Sequence, residues 1–391
     1  MRFPEFSGEW EEHTLSEYLE FKNGLNPDAK RIGSGLPFIS VMDILSEGVI
    51  NYDNIRGKVN ATEKEIECFG VKDGDLLFQR SSETLEDVGR ANVYMDNRTA
   101  IYGGFVIRGR KIGNYDPLFF KYLLATPLAR KRTCRMGAGA QHFNIGQEGL
   151  SKISLYFPSI EEQRKIAEFL SLIDERIATQ NKIIEDLKKL KSAIIDYAIN
   201  SLDTDFAKFG SLYETAGEGG TPTTSNASFY DNGKIPFVKI DDLKQKYLTE
   251  NKDFITELGL QKSSAWLVPT RSILFSNGAT IGEITITTYP VCTKQGILGI
   301  VPKSNIDVEF LYYFMSSTYF KKAISRIVTE GTMKTAYLKD IANILCPIPT
   351  KEKQQGIAKM PSALNSKIDY EQSLLKLFIM QKQYLLRQMF I

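Results

Sequence analysis

Apolar residues recur at alternating four- and three-residue spacing from position 161 to 202. This stretch contains no glycine or proline, so the heptad spacing predicts one long helix with an apolar face. The apolar positions are Ile166, Leu170, Ile173, Ile177, Ile184, Leu187, Ile194 and Ala198. Only Gln180 and Lys191 interrupt the face, and a second stretch of the same kind covers 362–391.

The chain repeats itself with an offset of 191 residues. Pro158 precedes the first long helix as Pro349 precedes the second, and Gln163 aligns with Gln354. Three upstream pairs of segments match in the same order: 35–45 with 234–243, 74–83 with 271–280, and 117–135 with 307–326. Repetition of this kind predicts two copies of one structural unit.

The repeat divides the chain into a domain at 1–157, a long helix at 158–202, a second domain at 203–348 and a second long helix at 349–391. Each domain contains short runs with strand character, separated by Gly, Asn and Asp. The segments 117–135 and 307–326 instead have the spacing of amphipathic helices. We therefore expect an α+β fold with two similar globular domains, separated by two long helices that form an antiparallel coiled coil.

The polar interruptions predict how the helices pair. The heptad positions of the first helix, moved by 191 residues, are apolar in the second helix except at Glu371 and Lys382. An antiparallel pair whose positions add to 562 places Lys191 beside Glu371 and Gln180 beside Lys382. Polar layers fix register in coiled coils. The alternative, in which each helix packs only on its own domain, remains open.

This register pairs 171–201 with 361–391, a length of about 45 Å at 1.5 Å per residue. Pro361 would then lie in a first helical turn, where its missing amide hydrogen is tolerated.

Composition narrows the class of protein. The 391 residues suggest two or three domains, and no apolar run approaches the ~20 residues of a membrane span. No signal peptide is visible, so we expect a cytoplasmic protein. The four cysteines (Cys68, Cys134, Cys292 and Cys346) are far apart, and only two histidines exist, which argues against disulfides and a structural zinc site.

No motif of enzymatic chemistry stands out. The glycine-rich segment 217–223 lacks the lysine of a phosphate-binding loop. There is no GxSxG, no HExxH and no tetrapeptide typical of an amino-methyltransferase. These features favour a binding protein that carries no cofactor or metal of its own.

Basic residues recur at equivalent places in the two halves. Arg130, Lys131 and Arg135 align with Lys321, Lys322 and Arg326. Cationic residues at matching places on two similar domains suit two contacts with a repeating polyanion such as duplex DNA. A solvated helix face explains the same residues equally well.

The whole chain resembles the specificity subunits of type I restriction-modification systems. The resemblance is carried by the segment 219–243, by PSIEEQRKIA (158–167) and PTKEKQQGIA (349–358), and by the order domain, helix, domain, helix. It implies that each domain is a target recognition domain that binds one half of a bipartite double-stranded DNA target. The helices would set the spacing between the halves.

The resemblance also implies partners. Modification (methyltransferase) subunits, two of them, would dock on the helices, and ATP-dependent restriction subunits would complete the complex. This chain would be non-catalytic, with S-adenosylmethionine, ATP and magnesium bound by the partner subunits and no membrane partner. Two alternatives remain: a nuclease or methyltransferase with an unrecognised site, and a coiled-coil scaffold that does not bind DNA.

Polar loops are the candidates for base recognition. Arg80 has the chemistry to bind guanine, whereas Gln141 or Asn144 has the chemistry to bind adenine. The full set of candidate DNA-binding residues comprises Arg80, Ser81, Ser82, Arg130, Lys131, Arg135, Gln141, His142, Asn144, Thr221, Thr223, Thr224, Lys239, Ser276, Asn277, Thr280, Lys321, Lys322, Arg326, Lys334 and Thr335. Met333 belongs to the same predicted loop as Lys334. Each is equally compatible with a turn residue that satisfies its own backbone.

Overall fold

A computed structural model describes residues 2–278, 280–328 and 334–390 of the chain. Two long helices, Ile160–Asn200 and Lys351–Gln388, confirm the heptad pattern. The chain divides into one compact unit of residues 1–181 with 373–391 and another of residues 182–372. Each unit therefore contains one globular domain together with parts of both long helices.

The first domain contains two four-stranded sheets. One is antiparallel, in the order Leu19–Asn23, Val106–Lys111, Leu76–Gln79 and Ala91–Val93. The other has the order Gly57–Val59, Ile32–Ile39, Ala100–Tyr102 and Gly70–Val71, and its central pair is parallel. Glu11–Thr14 pairs with Ser154–Phe157, and Ser81–Ser82 pairs with Phe143–Asn144. Its α-helices are Leu15–Tyr18, Val41–Ile44, Glu63–Phe69, Pro117–Ala125, Pro127–Arg135 and Gln147–Ser151.

The second domain repeats this arrangement. Its larger sheet has the order Tyr213–Glu218, Ile297–Pro302, Ile273–Ser276, Ile284–Thr287 and Tyr247–Leu248. Its smaller sheet has the order Asp253–Ile255, Ile235–Val238 and Cys292–Thr293, and Phe206–Lys208 pairs with Leu345–Pro347. Its α-helices are Glu257–Gln261, Val308–Ser316, Thr318–Ile327 and Leu338–Ile341. The predicted α+β repeat is confirmed.

Each of the two predicted amphipathic segments is a pair of helices. In the first domain the break falls at Thr126, whose hydroxyl accepts a hydrogen bond from the amide of Ala129 at 3.3 Å. In the second domain Ser317 accepts one from the amide of Phe320 at 3.2 Å. A capping side chain at this place starts a new helix, because it satisfies amides that have no partner in the first turn.

A buried glutamine fixes the start of each long helix to its own domain. The Gln163 side chain donates to the carbonyl of Pro158 at 3.0 Å and accepts from the amide of Asp116 at 3.1 Å. Gln354 does the same with the carbonyl of Pro349 at 2.9 Å and the amide of Asp307 at 2.7 Å. The aligned glutamines of the repeat are therefore the residues that join helix to domain.

The heptad faces of both helices are buried or partly buried. Ile166, Leu170, Ile173 and Ile177 share the core of the first unit with Phe378, Leu385 and Met389. The guanidinium of Arg176 lies 4.6 Å from the ring centre of Phe378, and Asp174 forms an ion pair with Lys382 at 2.5 Å. Advancing along the first helix thus means going back along the second, so the helices pack antiparallel in this unit.

Each lysine of the polar layers contacts a residue that lies closer to the N-terminus of the partner helix than the predicted one. Lys382 pairs with Asp174, and Lys191 donates to the Asn365 side chain at 2.9 Å. These two contacts are equivalents in the repeat, and both have positions that add to 556 instead of 562. Gln180 and Glu371 are buried as polar-layer residues should be, and Glu371 pairs with Lys367 at 2.5 Å. Contacts of Lys191 with Glu371 and of Gln180 with Lys382 stay predictions.

The second helix begins earlier than its proline suggests. Pro361 lies inside the continuous helix Lys351–Gln388, so its predicted place in a first turn is wrong. Gln354 anchors the first turn of this helix, and Ala358 is buried in the core of the second unit. These contacts hold the helix on the N-terminal side of Pro361 despite the hydrogen bond that a proline removes.

A polar cluster joins domain and helix in each unit, and its side chains differ between the two. In the first unit, Asp174 accepts from the Tyr122 hydroxyl at 2.9 Å, next to Lys382. Burial lowers the pKa of Lys121, which donates to the carbonyl of Gly48, to about 8; the Asp174 carboxylate opposes this shift.

In the second unit the corresponding lysine comes from a different segment. The buried Lys246 pairs with Glu309, donates to the Ser362 hydroxyl at 3.0 Å and lies 4.8 Å from the ring centre of Tyr313. Because Ser362 belongs to the second long helix, this lysine connects the domain to that helix.

Removing one of the buried glutamines should destabilise its unit. In Gln354→Ala the amide of Asp307 and the carbonyl of Pro349 lose their partner, which should cost about 1–3 kcal/mol of unfolding free energy. The neighbouring exposed Gln355→Ala is the matched control and should leave the unfolding midpoint unchanged. Equal denaturation curves for the two variants would contradict the anchoring role of Gln354.

Candidate nucleic-acid interface

The two loops singled out in the first domain meet in one ribbon. Ser81 and Ser82 pair with Asn144 and Phe143 as antiparallel partners. The Ser81 hydroxyl donates to the side-chain oxygen of Asn144, and the amide of Ile145 donates to the carbonyl of Arg80 at 3.0 Å. Residues that are about 60 positions apart in sequence thus form one surface element, as antiparallel pairing allows.

A tight turn at Gly103–Phe105 lies beside this ribbon. The amide of Arg80 donates to the carbonyl of Phe105 at 2.9 Å and so extends the pairing of Gln79 with Val106. Facing residues of paired strands project to the same side, so Arg80 and Phe105 are neighbours on the surface. The Phe105 side chain is 68% exposed.

A fourth segment, at Gly24–Asn26, completes the surface. The amide of Leu25 donates to the carbonyl of Tyr102 at 2.9 Å, which places Asn26 against the turn. A Cβ atom on Gly104 would lie 1.8 Å from the side-chain oxygen of Asn26, so a larger residue at 104 would displace the Asn26 side chain from this position. We call the exposed or partly exposed residues Asn26, Arg80, Ser81, Phe105 and Asn144 the first loop cluster.

The second domain builds the equivalent surface from equivalent segments. The amide of Asn277 donates to the carbonyl of Gly296 at 3.0 Å, and the amide of Ala336 donates to the carbonyl of Asn277 at 2.8 Å. Gly278 forms a bridge with Thr335, and the Thr221 hydroxyl accepts from the amide of Gln295 at 3.3 Å. The second loop cluster is accordingly Thr221, Gly278, Gln295, Gly296 and Thr335.

The predictions for Ser276 and Asn277 require correction. Ser276 is fully buried; its hydroxyl donates to the carbonyl of Thr280 at 2.5 Å and accepts from the amide of Glu283 at 2.9 Å. Asn277 is 1% exposed and donates to the carbonyl of Ala336 at 3.3 Å. Both side chains stabilise the loop from inside, because a buried backbone group without a partner is costly, so neither is available to DNA.

Arg130 is partly exposed and already bonded within the protein, so its contact with DNA stays a prediction. Its guanidinium donates to the carbonyls of Glu86 at 2.9 Å and Val88 at 2.6 Å, and burial lowers its pKa. It therefore holds the turn that precedes Gly89. Its neighbours Lys131 and Arg135 are exposed, as are their equivalents Lys322 and Arg326 and the partner of Arg130 in the repeat, Lys321.

The remaining candidates lie on the surface. Lys239 pairs with Asp253 at 2.8 Å, both half-exposed, and such pairs contribute little to stability. The exposed candidates outside the two clusters are Gln141, His142, Thr223, Thr224, Thr280 and Lys334, and Ser82 is partly exposed. Met333 lies outside the described residues.

Two residues of the first loop cluster, Asn26 and Phe105, were missed in the sequence. A signal for Asn26 existed, because Gly24 in NGLN occupies the place of Gly219 in EGGT, and Asn26 then aligns with the candidate Thr221. The aligned amides of Gly24 and Gly219 donate to the carbonyls of Val106 and Ile297. Phe105 had no signal, since a phenylalanine after two glycines usually belongs to a core.

A family model described as the type I restriction modification DNA specificity domain matches residues 7–189 and 203–377. The chain is 25% identical over 390 residues to a Methanocaldococcus jannaschii protein provisionally named the type I restriction enzyme MjaX specificity subunit; the alignment covers 93% of this chain and 89% of that protein. It is 23% identical over 393 residues to the MjaIX specificity subunit of the same organism, covering 92% and 88%.

Solved structures show the same fold. The type I restriction-modification S subunit of M. genitalium superimposes with a TM-score of 0.58 at 17% identity, covering 98% of this chain and 96% of that one. A chain from a structure of the type I R-M system gives a TM-score of 0.62 at 14% identity, covering 97% of both chains.

The chain therefore belongs to the family of type I restriction-modification DNA specificity subunits, with two specificity domains in tandem. Proteins of this family act with DNA and with the other subunits of the restriction-modification complex. The comparisons lend no support to a coiled-coil scaffold or to a nuclease or methyltransferase. In the described part of the chain, no helix combines the length and apolar content needed to cross a bilayer.

The corrected role of Ser276 can be tested by stability. Ser276→Ala should lower the unfolding free energy by about 1–3 kcal/mol, because the Glu283 amide loses a buried partner. Thr280→Ala removes an exposed hydroxyl from the same loop and should have no measurable effect. Urea denaturation of both variants measures this difference. A Ser276→Ala protein with unchanged stability and altered DNA specificity would support the prediction that Ser276 binds DNA.

Proposed function

We propose that the two loop clusters bind the two halves of a bipartite double-stranded DNA target. The observation that carries this proposal is the equivalence of the clusters: four equivalent segments, joined by equivalent backbone hydrogen bonds, build both, but the exposed side chains differ. A common scaffold with different side chains lets one chain recognise two different half-sites.

The first loop cluster has the groups that base recognition needs. Arg80 is partly exposed, and its guanidinium lies 3.4 Å from the carbonyl of Gly104, which leaves further donors for O6 and N7 of guanine. The amides of Asn26 and Asn144 match the donor and acceptor of adenine. Gln141 and His142, in the loop that leads into the ribbon, extend the contact.

The second loop cluster offers smaller groups. Thr221, Thr335 and Gln295 supply hydroxyls and an amide, with Thr223, Thr224, Thr280 and Lys334 nearby in sequence. The exposed Lys131 and Arg135, and in the second domain Lys321, Lys322 and Arg326, contact phosphates. Such contacts fix position and orientation without reading sequence.

The long helices dock the modification subunits. Besides the buried heptad face, each helix carries exposed apolar residues, and these are the surface that we assign to the partner. In the first unit they include Leu172, Leu377 and Met380, which are 57%, 60% and 62% exposed. In the second unit they include Tyr197 and Tyr370, at 77% and 62%. We propose two modification subunits, with restriction subunits joining the complex and the paired helices setting the gap between half-sites.

The chain itself supplies recognition and no catalysis. S-adenosylmethionine, ATP and magnesium are bound by the partner subunits, and the complex works in the cytoplasm, where the DNA is. Incubating the isolated chain with DNA, magnesium and S-adenosylmethionine should give neither cleavage nor methylation. Either activity in a preparation free of partner subunits would contradict this part of the proposal.

Arg80→Ala should relax one half of the methylated motif. Loss of a bidentate contact to guanine reduces discrimination by about 1–3 kcal/mol at a single base pair. We would map methylated sites in cells that carry the variant with its modification subunits. The control, Arg56→Ala, removes an exposed arginine outside the loop cluster and should leave the motif unchanged.

Replacing the first domain tests the division of labour. Exchange of residues 1–157 for the equivalent domain of another family member should change one half of the motif and keep the other half. A change in both halves, or in neither, would exclude the assignment of one half-site to each domain.

A further inference from the structure

Phe105 is an exposed aromatic ring on a rigid backbone. Its carbonyl accepts from the Arg80 amide, and the amide of the next residue, Val106, donates to the carbonyl of Gly103 at 2.9 Å. Gly103 and Gly104 have no side chains to cover the ring, which remains 68% exposed. The ring is thus held out to solvent by strands whose pairing fixes its position.

The repeat shows that the fold does not need this ring. Gly296 occupies the equivalent place in the second domain, where its carbonyl accepts from Asn277 as that of Phe105 accepts from Arg80. A Cβ atom built on Gly296 would meet no atom within 4 Å. The equivalent hydrogen bond therefore forms with no side chain at this position, although Gly296 has a positive φ of 90° that Phe105 does not share. The exposed phenylalanine is thus not needed for the pairing and contributes nothing to the core.

The groups around the ring are hydrogen-bonding groups. Arg80 is its neighbour across the strand pair, and Asn26 packs against the adjacent Gly104. An apolar face bordered by a guanidinium and amides is complementary to a nucleobase, which presents an apolar face and polar edges. A protein partner would instead require a wider apolar patch than a single ring.

We propose that Phe105 stacks on a base of the first half-site, as a wedge that unstacks one base step. This inference rests on the proposed function and adds an asymmetry to it: the half-site bound by the first domain is deformed by an aromatic ring, whereas the half-site bound by the second domain meets glycine at that place. Apolar wedges of this kind partly unstack a step, and pyrimidine–purine steps yield most easily.

The test uses the full chain in complex with its modification subunits and a duplex that carries the mapped methylation motif. Phe105→Ala should weaken binding about 5- to 150-fold, the range for loss of one stacked base. The dependence of affinity on salt should not change, because no phosphate contact is lost. Phe105→Trp should retain binding, and the melting temperature should be the same in all variants.

The matched control is Met42→Ala. Met42 is 65% exposed in the same domain, so it tests whether any exposed apolar side chain produces the effect. A second readout is 2-aminopurine, an adenine analogue, placed in turn at each adenine of both half-sites. Its fluorescence should change at one step of the first half-site on binding, and that change should be absent in Phe105→Ala.

Two results would contradict the proposal that Phe105 stacks on a base. One is equal affinity of Phe105→Ala and the parent chain for the duplex. The other is failure of Phe105→Ala to assemble with the modification subunits in the absence of DNA, which would assign the ring to a protein contact. If the parent complex showed no preference for the motif, both the proposed function and the stacking role of Phe105 would be wrong. If the parent complex bound the motif specifically and Phe105→Ala bound it equally well, only the stacking role would be wrong.

Discussion

The buried glutamine at the start of each long helix is the contact on which the rest of the structure depends. Gln163 and Gln354 each satisfy one carbonyl before the helix and one amide at the start of a domain helix. A buried amide group with both partners in place permits one geometry, because losing either partner is costly. Each domain is thereby attached to a helix in a defined orientation.

The repeat conserves backbone contacts and changes side chains. Lys382 with Asp174 and Lys191 with Asn365 are equivalent contacts, one an ion pair and the other a hydrogen bond to an amide. The lysine of the polar cluster that joins domain and helix is Lys382, on the second long helix, in the first unit, and Lys246, in the domain, in the second unit. The same freedom acts at the loop clusters, where Arg80 and Phe105 stand in place of Asn277 and Gly296. A scaffold held by backbone hydrogen bonds tolerates such exchange, which is what the recognition of varied DNA requires.

Much of the candidate site could be predicted because turns have residue preferences. The loops at Arg80–Ser82 and Gln141–Asn144 were visible as polar runs between strands, and the structure pairs them. Ser276 and Asn277 had the same appearance, yet they are buried, because polar residues serve loop interiors and loop surfaces alike. Phe105 is the opposite case: the sequence suggested a core residue, yet the structure exposes it. The exposure of an aromatic ring depends on which strands flank it.

The sequence by itself determined the repeat, the two long helices and the apolar face of each, because periodic burial leaves a periodic pattern. The tertiary structure alone decided where the lysines of the polar layers reach, that Pro361 lies within a helix, and which loop residues face outward. Those outcomes depend on packing between segments distant in the chain, and local sequence does not record which side chain a distant segment will cover.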